Sequence, residues 1–282
     1  MQNELKNFFG ENVIALFSGK KDGSMRLHGH DEWDRPIIKR REDFCKSNGV
    51  DPERFVSAQL IHGNHSEIIS RPSNPKLVWH NFRMPKCDAL ITGDRGVYLS
   101  TTAADCFPVY FHDPVQEVCG IIHAGWKGIL KGVLESTLEK AEAGLNLKPQ
   151  TTKVFIGPGI RKCHFEVQKD VADQFRGFVE RRVKQQPIPG MIQANEADTT
   201  RDTWETIDAW YVDLEAAIKE RLIQVGVLPD NILFSNRCTY CYKAITELKA
   251  LPEKSTFEYQ YFSFRRDKSD PLETQMTVIG MK

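Results

Sequence analysis

Residues 104–128 read ADCFPVYFHDPVQEVCGIIHAGWKG. Two apolar runs on either side of a polar turn at 113–116 predict a β-hairpin that leads into a helix. With regular pairing, counting outward from the turn places Cys106 directly opposite His123, with β-carbons about 4.5–5.5 Å apart. Such a pair has three interpretations: a thiolate nucleophile, part of a metal site that needs a third ligand, or a buried cysteine beside a hydrogen-bonded histidine. The spacing alone favours the last.

The end of this stretch, Gly125–Gly128, joins the second strand to the helix. Glycine lets a backbone approach a ligand closely, and the start of a helix offers unpaired N–H groups to an anion. Lys127 adds a positive charge. The corner that carries the Cys–His pair is therefore a candidate phosphate site.

Outward from the hairpin, strand and helix patterns are mixed along the chain without a strict βαβ alternation. Short β-rich runs occur at 13–17, 89–92, 97–101, 108–112, 118–122, 154–156, 232–235 and 276–279. Helical periodicity is found at 36–48 (with Pro36 in the first turn), 128–144, 166–183 and 208–225, where Asp208 is the predicted N-cap. The polar segment 184–205 predicts a long loop or lid. The pattern favours an α+β fold, a layered α/β sandwich with mixed β-sheets.

Composition indicates a globular protein with no charge bias. The 282 residues are 40% hydrophobic and 27% charged, with a formal net charge of +0, so bulk charge predicts neither a nucleic-acid nor an anionic membrane partner. The N-terminus has no export-leader pattern, and no apolar run reaches the length of a membrane span. Seven scattered cysteines then favour reduced thiols and a cytoplasmic protein.

Several common motifs fail. Neither nucleotide-binding glycine fingerprint is present. Cys238 and Cys241 form a C-x-x-C pair, but a zinc ribbon needs a second pair, so packed thiols are the favoured interpretation.

Six blocks of sequence resemble those of the YfiH-like family. This family was first called multicopper polyphenol oxidase, or laccase domain, and was later described as purine nucleoside phosphorylase with adenosine deaminase activity. The blocks are IHGN (61–64), TAADCFPVYFHDP (102–114), IIHAGWKG (121–128), IGPGIRKCHFEV (156–167), CTYC (238–241) and YFSFRRD (261–267). The likeness is incomplete at Leu60, where the family usually has glutamine, and in residues 23–41 and 273–276.

The resemblance implies a metal site and a reaction. It makes His62, Cys106 and His123 the metal ligands and catalytic residues, with zinc as the metal and copper as the family's alternative. It implies one YfiH-like catalytic domain over residues 1–282, a monomer or small homo-oligomer, which takes a purine nucleoside and phosphate. Zinc with one thiolate and two neutral imidazoles has a net charge of +1 (2 − 1), suited to phosphate binding and to activating water against C6 of adenine.

Other functions and residues stay open at this stage. The alternatives are a metal-free cysteine hydrolase or amidase that uses Cys106 and His123, a copper-dependent polyphenol oxidase, and a peptidoglycan-precursor editing factor. Three His/Cys residues are few for a multicopper cluster. Arg265 and Arg266 are phosphate candidates, although a structural ion pair is the better interpretation for at least one of them.

Overall fold

The fold is known from a computed structural model, which describes residues 1–28, 31–71, 85–187, 204–247 and 256–282. The helices are α1 (Gln2–Phe9), α2 (Asp31–Ser47), α3 (Trp126–Leu130), α4 (Val133–Leu145), α5 (Lys169–Ala172), α6 (Leu214–Gln224) and α7 (Phe264–Asp267). The strands are β1 (Val13–Phe17), β2 (Phe55–Ser57), β3 (Ser66–Ile68), β4 (Ala89–Thr92), β5 (Tyr98–Ala103), β6 (Phe107–Asp113), β7 (Val118–Ala124), β8 (Lys153–Ile156), β9 (Glu166–Val167), β10 (Val179–Pro187), β11 (Trp204–Val212), β12 (Ile232–Phe234), β13 (Lys243–Glu247), β14 (Thr256–Tyr259) and β15 (Gln275–Met281). None of the described helices is long and apolar enough to cross a lipid bilayer.

Two mixed sheets form the centre of the molecule. The larger sheet has the strand order β12-β8-β6-β7-β4-β3, and the smaller one has the order β1-β15-β5-β2. In the larger sheet β12 runs parallel to β8 and β3 runs parallel to β4, whereas β6, β7 and β8 pair antiparallel. The predicted α+β fold with mixed sheets is confirmed.

Alternating side chains of β6 and β7 divide the core into two layers. Phe107, Val109 and Phe111 face helices α4 and α6, as do Ile122 and Ala124. On the other face, Tyr110 and Ile121 pack against the smaller sheet, and the Tyr110 hydroxyl donates to the backbone oxygen of Leu16 at 2.7 Å. A third cluster joins the outer face of the smaller sheet to Phe44 and Cys45 of α2. The layers are thus helix, sheet, sheet, helix, which is the predicted sandwich.

The β6–β7 hairpin is present, but its predicted register is wrong by two residues. Pro108, not Cys106, pairs with His123, and Asp113 pairs with Val118 at the turn. The turn occupies 114–117 because Asp113 remains in the strand. Its carboxylate accepts from the backbone N–H groups of Val115 and Gln116, and from Lys148 of the neighbouring loop.

Three predicted helices differ from those in the structure. The helix at 166–183 is wrong: the chain forms β9, the short α5 and β10, and Gly177 has a φ of 89°, which interrupts a helix. The helix at 208–225 begins only at Leu214, because 208–212 pairs in β11 and Asp213 caps α6 by accepting from the N–H of Ala216. Helix 128–144 is divided into α3 and α4 at Gly132, whose φ is 80°.

Two further boundaries are corrected. Helix α2 begins at Asp31, so Pro36 lies inside the helix and not in its first turn. Both ends of the predicted loop at 184–205 belong to strands β10 and β11, and residues 188–203 lie outside the described residues. The strand predictions at 13–17 and 89–92 match β1 and β4 in both bounds.

Candidate functional site

The three residues singled out in the sequence lie together. One ligand atom each from His62, Cys106 and His123 lies within 4.8 Å of the other two. The two imidazole rings meet edge to face, with centroids 4.9 Å apart. His62 comes from the loop after β2, Cys106 directly precedes β6, and His123 lies in β7. A thiolate and two imidazoles in this arrangement are a donor set that can hold a zinc ion with an open fourth position.

Cys106 reaches His123 diagonally and not by direct opposition. Extending the hairpin register by one pair places Cys106 opposite Gly125, two residues beyond His123. Asp105, with a φ of 83°, bends the chain just before Cys106. A β-carbon at position 125 would lie 2.8 Å from Cys106 Sγ, 3.6 Å from His62 Cδ2 and 3.7 Å from His123 Cε1. Glycine at position 125 therefore leaves open the space on which all three side chains converge.

Asp88 organises the two histidines, and the sequence analysis did not single it out. The carboxylate is fully buried and lies 3.2 Å from His123 Nδ1. It also accepts from the backbone N–H groups of His62 at 2.9 Å and Gly63 at 2.6 Å. Because Nδ1 of His123 is taken by Asp88, Nε2 is left to bind a metal, as in a carboxylate–histidine–metal arrangement. The signal in the sequence is a lone acid directly before the apolar strand β4.

Cys106 and His123 favour each other's charged form. Burial opposes ionisation of the Cys106 thiol, but the charge and hydrogen bonding of His123, with a smaller contribution from His62, lower its pKa to about 6. Burial likewise opposes protonation of His123, but the Cys106 thiolate and the hydrogen bond to Asp88 raise its pKa to about 9. The site therefore stabilises a thiolate, which is the form that binds metals and attacks electrophiles.

A cavity of about 610 Å³ opens beside His62, Cys106 and His123, which are called the trio from here on. The cavity is large enough for a small organic molecule. His62, Asp105 and Cys106 lie in its wall. Its remaining lining combines apolar and aromatic side chains with three cations: Ile61, Ala104, Trp126, Lys127, Lys131, Ile160, Phe165, Leu214, Phe264, Arg265 and Leu272. Such a lining suits a ligand that has both a flat ring and an anionic group.

The strand–helix corner at Gly125–Gly128 that was predicted as a candidate phosphate site lies beside the cavity, but the groups there that suit an anion are side chains and not the helix start. Helix α3 has only five residues and ends before Gly132. Lys127 and Lys131 both lie in the cavity wall, and Lys131 Nζ is 3.4 Å from the backbone oxygen of His62. The lysines therefore replace the helix start as the candidate anion-binding groups.

The two neighbouring arginines have different surroundings. Arg265 lines the cavity, and one of its guanidinium nitrogens donates to the backbone oxygen of Glu166 at 2.8 Å. Arg266 is not among the residues that line the cavity, and it donates to the backbone oxygens of Thr239 and Tyr240 as well as to Asp267. Only Arg265 remains a phosphate candidate, and Arg266 is the structural ion pair that the sequence analysis expected of one of them.

Asp105 serves to hold the cavity wall. It is buried, and its two carboxylate oxygens accept from the Thr239 hydroxyl at 2.6 Å and from the Arg265 backbone N–H at 2.7 Å. These bonds attach the residue before Cys106 to the C-x-x-C loop and to the start of α7. Cys238 of that C-x-x-C pair is buried, as the interpretation of packed thiols predicts, whereas Cys241 is exposed.

Comparison with known proteins gives a family for this arrangement. Residues 22–282 match the family described as multi-copper polyphenol oxidoreductase laccase. The chain belongs to this family. The match includes all three members of the trio, the cavity wall and the C-x-x-C loop.

Relatives of this laccase-domain family carry the name purine nucleoside phosphorylase. Purine nucleoside phosphorylase YlmD of Bacillus subtilis is 26% identical over 281 residues, which cover 96% of this chain and 89% of the relative. Purine nucleoside phosphorylase LACC1 of Homo sapiens is 28% identical over 243 residues, which cover 85% of this chain and 46% of the relative.

Solved structures of the laccase-domain family share the fold. The crystal structure of YlmD from Geobacillus stearothermophilus has a TM-score of 0.70 and 24% identity, and covers 96% of this chain and 92% of its own. The Bacillus licheniformis protein YfiH has the same TM-score and identity, with 96% and 93% covered. The likeness extends over 96% of this chain and shows that the fold is shared.

Proposed function

We propose that this chain, acting as one domain over residues 1–282, is a zinc-dependent purine nucleoside phosphorylase. The observation that carries the proposal is the convergence of His62, Cys106 and the buried His123 beside a cavity whose wall includes His62, Cys106 and several aromatic and cationic side chains. The names of the relatives supply the reaction class: a purine nucleoside and phosphate give the free base and ribose 1-phosphate.

The trio fits a zinc ion by two observations. Asp88 occupies Nδ1 of His123 and so leaves Nε2 as the donor, and Gly125 leaves the space between the donors free of a side chain. One thiolate with two imidazoles is a three-ligand set of the kind found at catalytic zinc. When bound, zinc supplies a positive centre that attracts an oxyanion and lowers the pKa of water from 15.7 to about 7.

The cavity side chains bind and orient the two substrates. Lys127, Lys131 and Arg265 supply three positive charges, and charge-assisted hydrogen bonds from such groups hold a phosphate dianion. Trp126 and Phe165 offer apolar ring faces to the purine. Holding phosphate and nucleoside together at the trio removes the entropic cost of a bimolecular encounter from the bond-breaking step.

Adenosine deamination is the second activity that we propose at the same centre. A purine held with its six-membered ring toward the trio presents C6 to a water molecule there, whose attack replaces the amino group and releases ammonia. Phosphorolysis requires phosphate, whereas deamination requires only water, so the two activities can be measured separately.

A metal-free cysteine hydrolase or amidase is the alternative that one observation favours. Asp88, His123 and Cys106 stand in the order of a carboxylate, an imidazole and a thiol, and the thiol pKa is lowered. This alternative needs no third donor, so it predicts that replacing His62 or removing metal leaves the activity intact.

The experiment is chromatography of reactions of the purified protein with adenosine, inosine or guanosine, with and without phosphate. We expect base and ribose 1-phosphate only with phosphate, and inosine from adenosine in both cases. His62→Ala and Cys106→Ala should abolish both products, whereas His65→Ala, an exposed histidine paired with Glu67, should retain them. Absence of phosphate-dependent base release by the wild type would overturn the proposal.

A further inference from the structure

A second cluster of metal-ligating side chains lies at the surface, and it shares no residue with the trio. Cys163, His164, Cys238 and Cys241 each place one ligand atom within 4.8 Å of the others. We propose that this Cys3His cluster binds a second metal ion, a zinc ion with a structural role. The proposal does not depend on the function proposed for the trio.

The fold brings the four residues together from two distant parts of the chain. Strands β8 and β12 are parallel neighbours, so the segments that follow them leave the sheet at the same edge. The first segment carries Cys163 and His164, and the second carries Cys238 and Cys241. A bridge between Gly159 and Cys238, with the Thr239 N–H donating to Gly159 at 3.0 Å, fixes the two segments side by side.

The distances suit tetrahedral zinc. The Nδ1 atom of His164 lies 3.1 Å from Cys163 Sγ and 3.8 Å from Cys238 Sγ. Zinc–sulfur bonds of about 2.3 Å and zinc–nitrogen bonds of about 2.0 Å imply donor separations of about 3.5–3.8 Å around a tetrahedron. All four donor atoms lie within 4.8 Å of one another, so small side-chain rotations bring them to the separations of a tetrahedral zinc site.

The surroundings orient the donors as a built site does. The His164 ring stacks on Tyr240 of the C-x-x-C loop, with centroids 4.1 Å apart and ring planes 16° from parallel. The backbone N–H of Arg161 points at Cys238 Sγ from 3.5 Å. A ring held in plane and an N–H directed at a sulfur are the outer contacts that fix ligands around a metal.

The donor set of this cluster is one that zinc sites use. Three thiolates with one imidazole form a common closed zinc site, and binding a divalent ion displaces the thiol protons. All three cysteines of the cluster are free of disulfides, and the exposure of Cys163 and Cys241 gives a metal ion access from solvent.

The site would fix the wall of the catalytic cavity. Thr239, between the two cysteines of the C-x-x-C pair, donates to Asp105, and Asp105 directly precedes Cys106. The first segment continues from His164 into Phe165, which lines the cavity. A zinc ion that joins the two segments therefore holds Asp105 and Phe165 in place without contacting a substrate.

The test is the zinc content of purified full-length variants by elemental mass spectrometry. We expect about two zinc ions per chain in the wild type, since each cluster supplies a complete ligand set. His164→Ala and Cys241→Ser should lose the zinc of the Cys3His cluster and retain that of the trio, and His62→Ala should do the reverse. The matched control His65→Ala should retain both. A wild type whose single zinc is removed by Cys241→Ser would support this site and contradict the one at the trio.

Cobalt substitution keeps the proposal testable where a cluster variant does not fold. In Cys106→Ala, which leaves the Cys3His cluster intact, bound cobalt should show tetrahedral visible bands and charge-transfer absorption from three thiolates. Unchanged zinc content in Cys241→Ser and His164→Ala would overturn the proposal. So would a Cys106→Ala protein that binds no cobalt, or an intact mass that shows a disulfide within the cluster and no metal.

Discussion

His123 Nδ1 lies 3.2 Å from a carboxylate oxygen of Asp88, and both side chains are buried. The same carboxylate accepts from the backbone of His62, so one acid orients two members of the trio. Orientation of this kind is what a metal site needs from its surroundings, because outer partners fix the tautomer and the ring plane of each histidine.

Replacing Asp88 should therefore weaken metal binding without removing a donor atom. We expect Asp88→Asn to bind zinc at the trio about 10- to 100-fold more weakly. The measurement is the chelator concentration that halves phosphate-dependent base release. Asp170→Asn, at an exposed acid in α5, is the matched control and should behave as the wild type. Equal chelator resistance of Asp88→Asn and the wild type would contradict the role assigned to Asp88.

Adding one methyl group at Gly125 should close the space between the donors. A β-carbon there would lie 2.8 Å from Cys106 Sγ, whereas the φ of −80° is one that alanine adopts without strain. We expect Gly125→Ala to fold with a melting temperature near that of the wild type and to lose at least about 10-fold in activity. Gly93→Ala, whose added β-carbon would make only ordinary contacts, should keep full activity. Normal activity in both variants would show that the space is not needed.

The cavity cations should act on phosphate and not on the nucleoside. Charge-assisted hydrogen bonds contribute about 1.5–3 kcal/mol each, so Lys131→Gln and Arg265→Gln should each raise the KM for phosphate about 10-fold or more. The KM for inosine should change little. Lys39→Gln, an exposed lysine of α2 paired with Asp43, serves as the control. A change confined to the nucleoside KM would place the phosphate elsewhere.

The ion pair between Asp267 and Arg266 should make the stability of the protein depend on pH. Burial opposes ionisation, but hydrogen bonds from Arg266 and the Ser263 backbone lower the Asp267 pKa. Because the pKa of Asp267 is lower in the folded state, its ionised carboxylate stabilises the fold at any pH above the unfolded-state pKa of about 3.9. This contribution is lost as the pH falls through the folded-state pKa. At pH 7 the free energy of unfolding of Asp267→Asn should be about 1–3 kcal/mol lower than that of the wild type.

The difference between Asp267→Asn and the wild type should narrow as the solution is acidified below about pH 4, where the wild-type carboxylate also becomes neutral. Urea unfolding at several pH values measures this difference in the free energy of unfolding. Asp43→Asn, in an exposed pair, should differ little from the wild type at any pH. If the free energies of unfolding of Asp267→Asn and the wild type differ by the same amount from pH 7 to pH 3, the ionised Asp267 carboxylate is not the source of the stability.

The sequence predicted most strands of the two central sheets, because each of these is a short apolar run ended by polar or glycine residues, but it missed the three-residue strands β2 and β3. Strands β1 and β4 match in both bounds, and the wholly buried β6 and β7 differ only at their ends. The hairpin register could not be predicted, because it depends on Asp113 accepting from Lys148, 35 residues away. That contact keeps Asp113 in the strand and moves the turn.

The helix predicted at 166–183 is a case in which the sequence pattern predicted the wrong secondary structure. Its spacing suits a helix, but Gly177 and the pairing with β11 impose strands, and pairing partners are set by tertiary structure. At the site, the trio could be named from motif blocks, whereas Asp88 could not, since its role arises only when β4 and β7 lie side by side. The Cys3His cluster was missed because its ligands are split between segments that are 75 residues apart (238 − 163).

Under the proposed function, phosphorolysis needs a metal held by His62, Cys106 and His123. The most direct measurement is phosphate-dependent release of hypoxanthine from inosine as zinc is returned to chelator-treated protein. We predict that activity is absent before zinc is added, is restored in the wild type and in His65→Ala, and is not restored in His62→Ala or Cys106→Ala. Full activity of the metal-free wild type, or of His62→Ala, would contradict the claim.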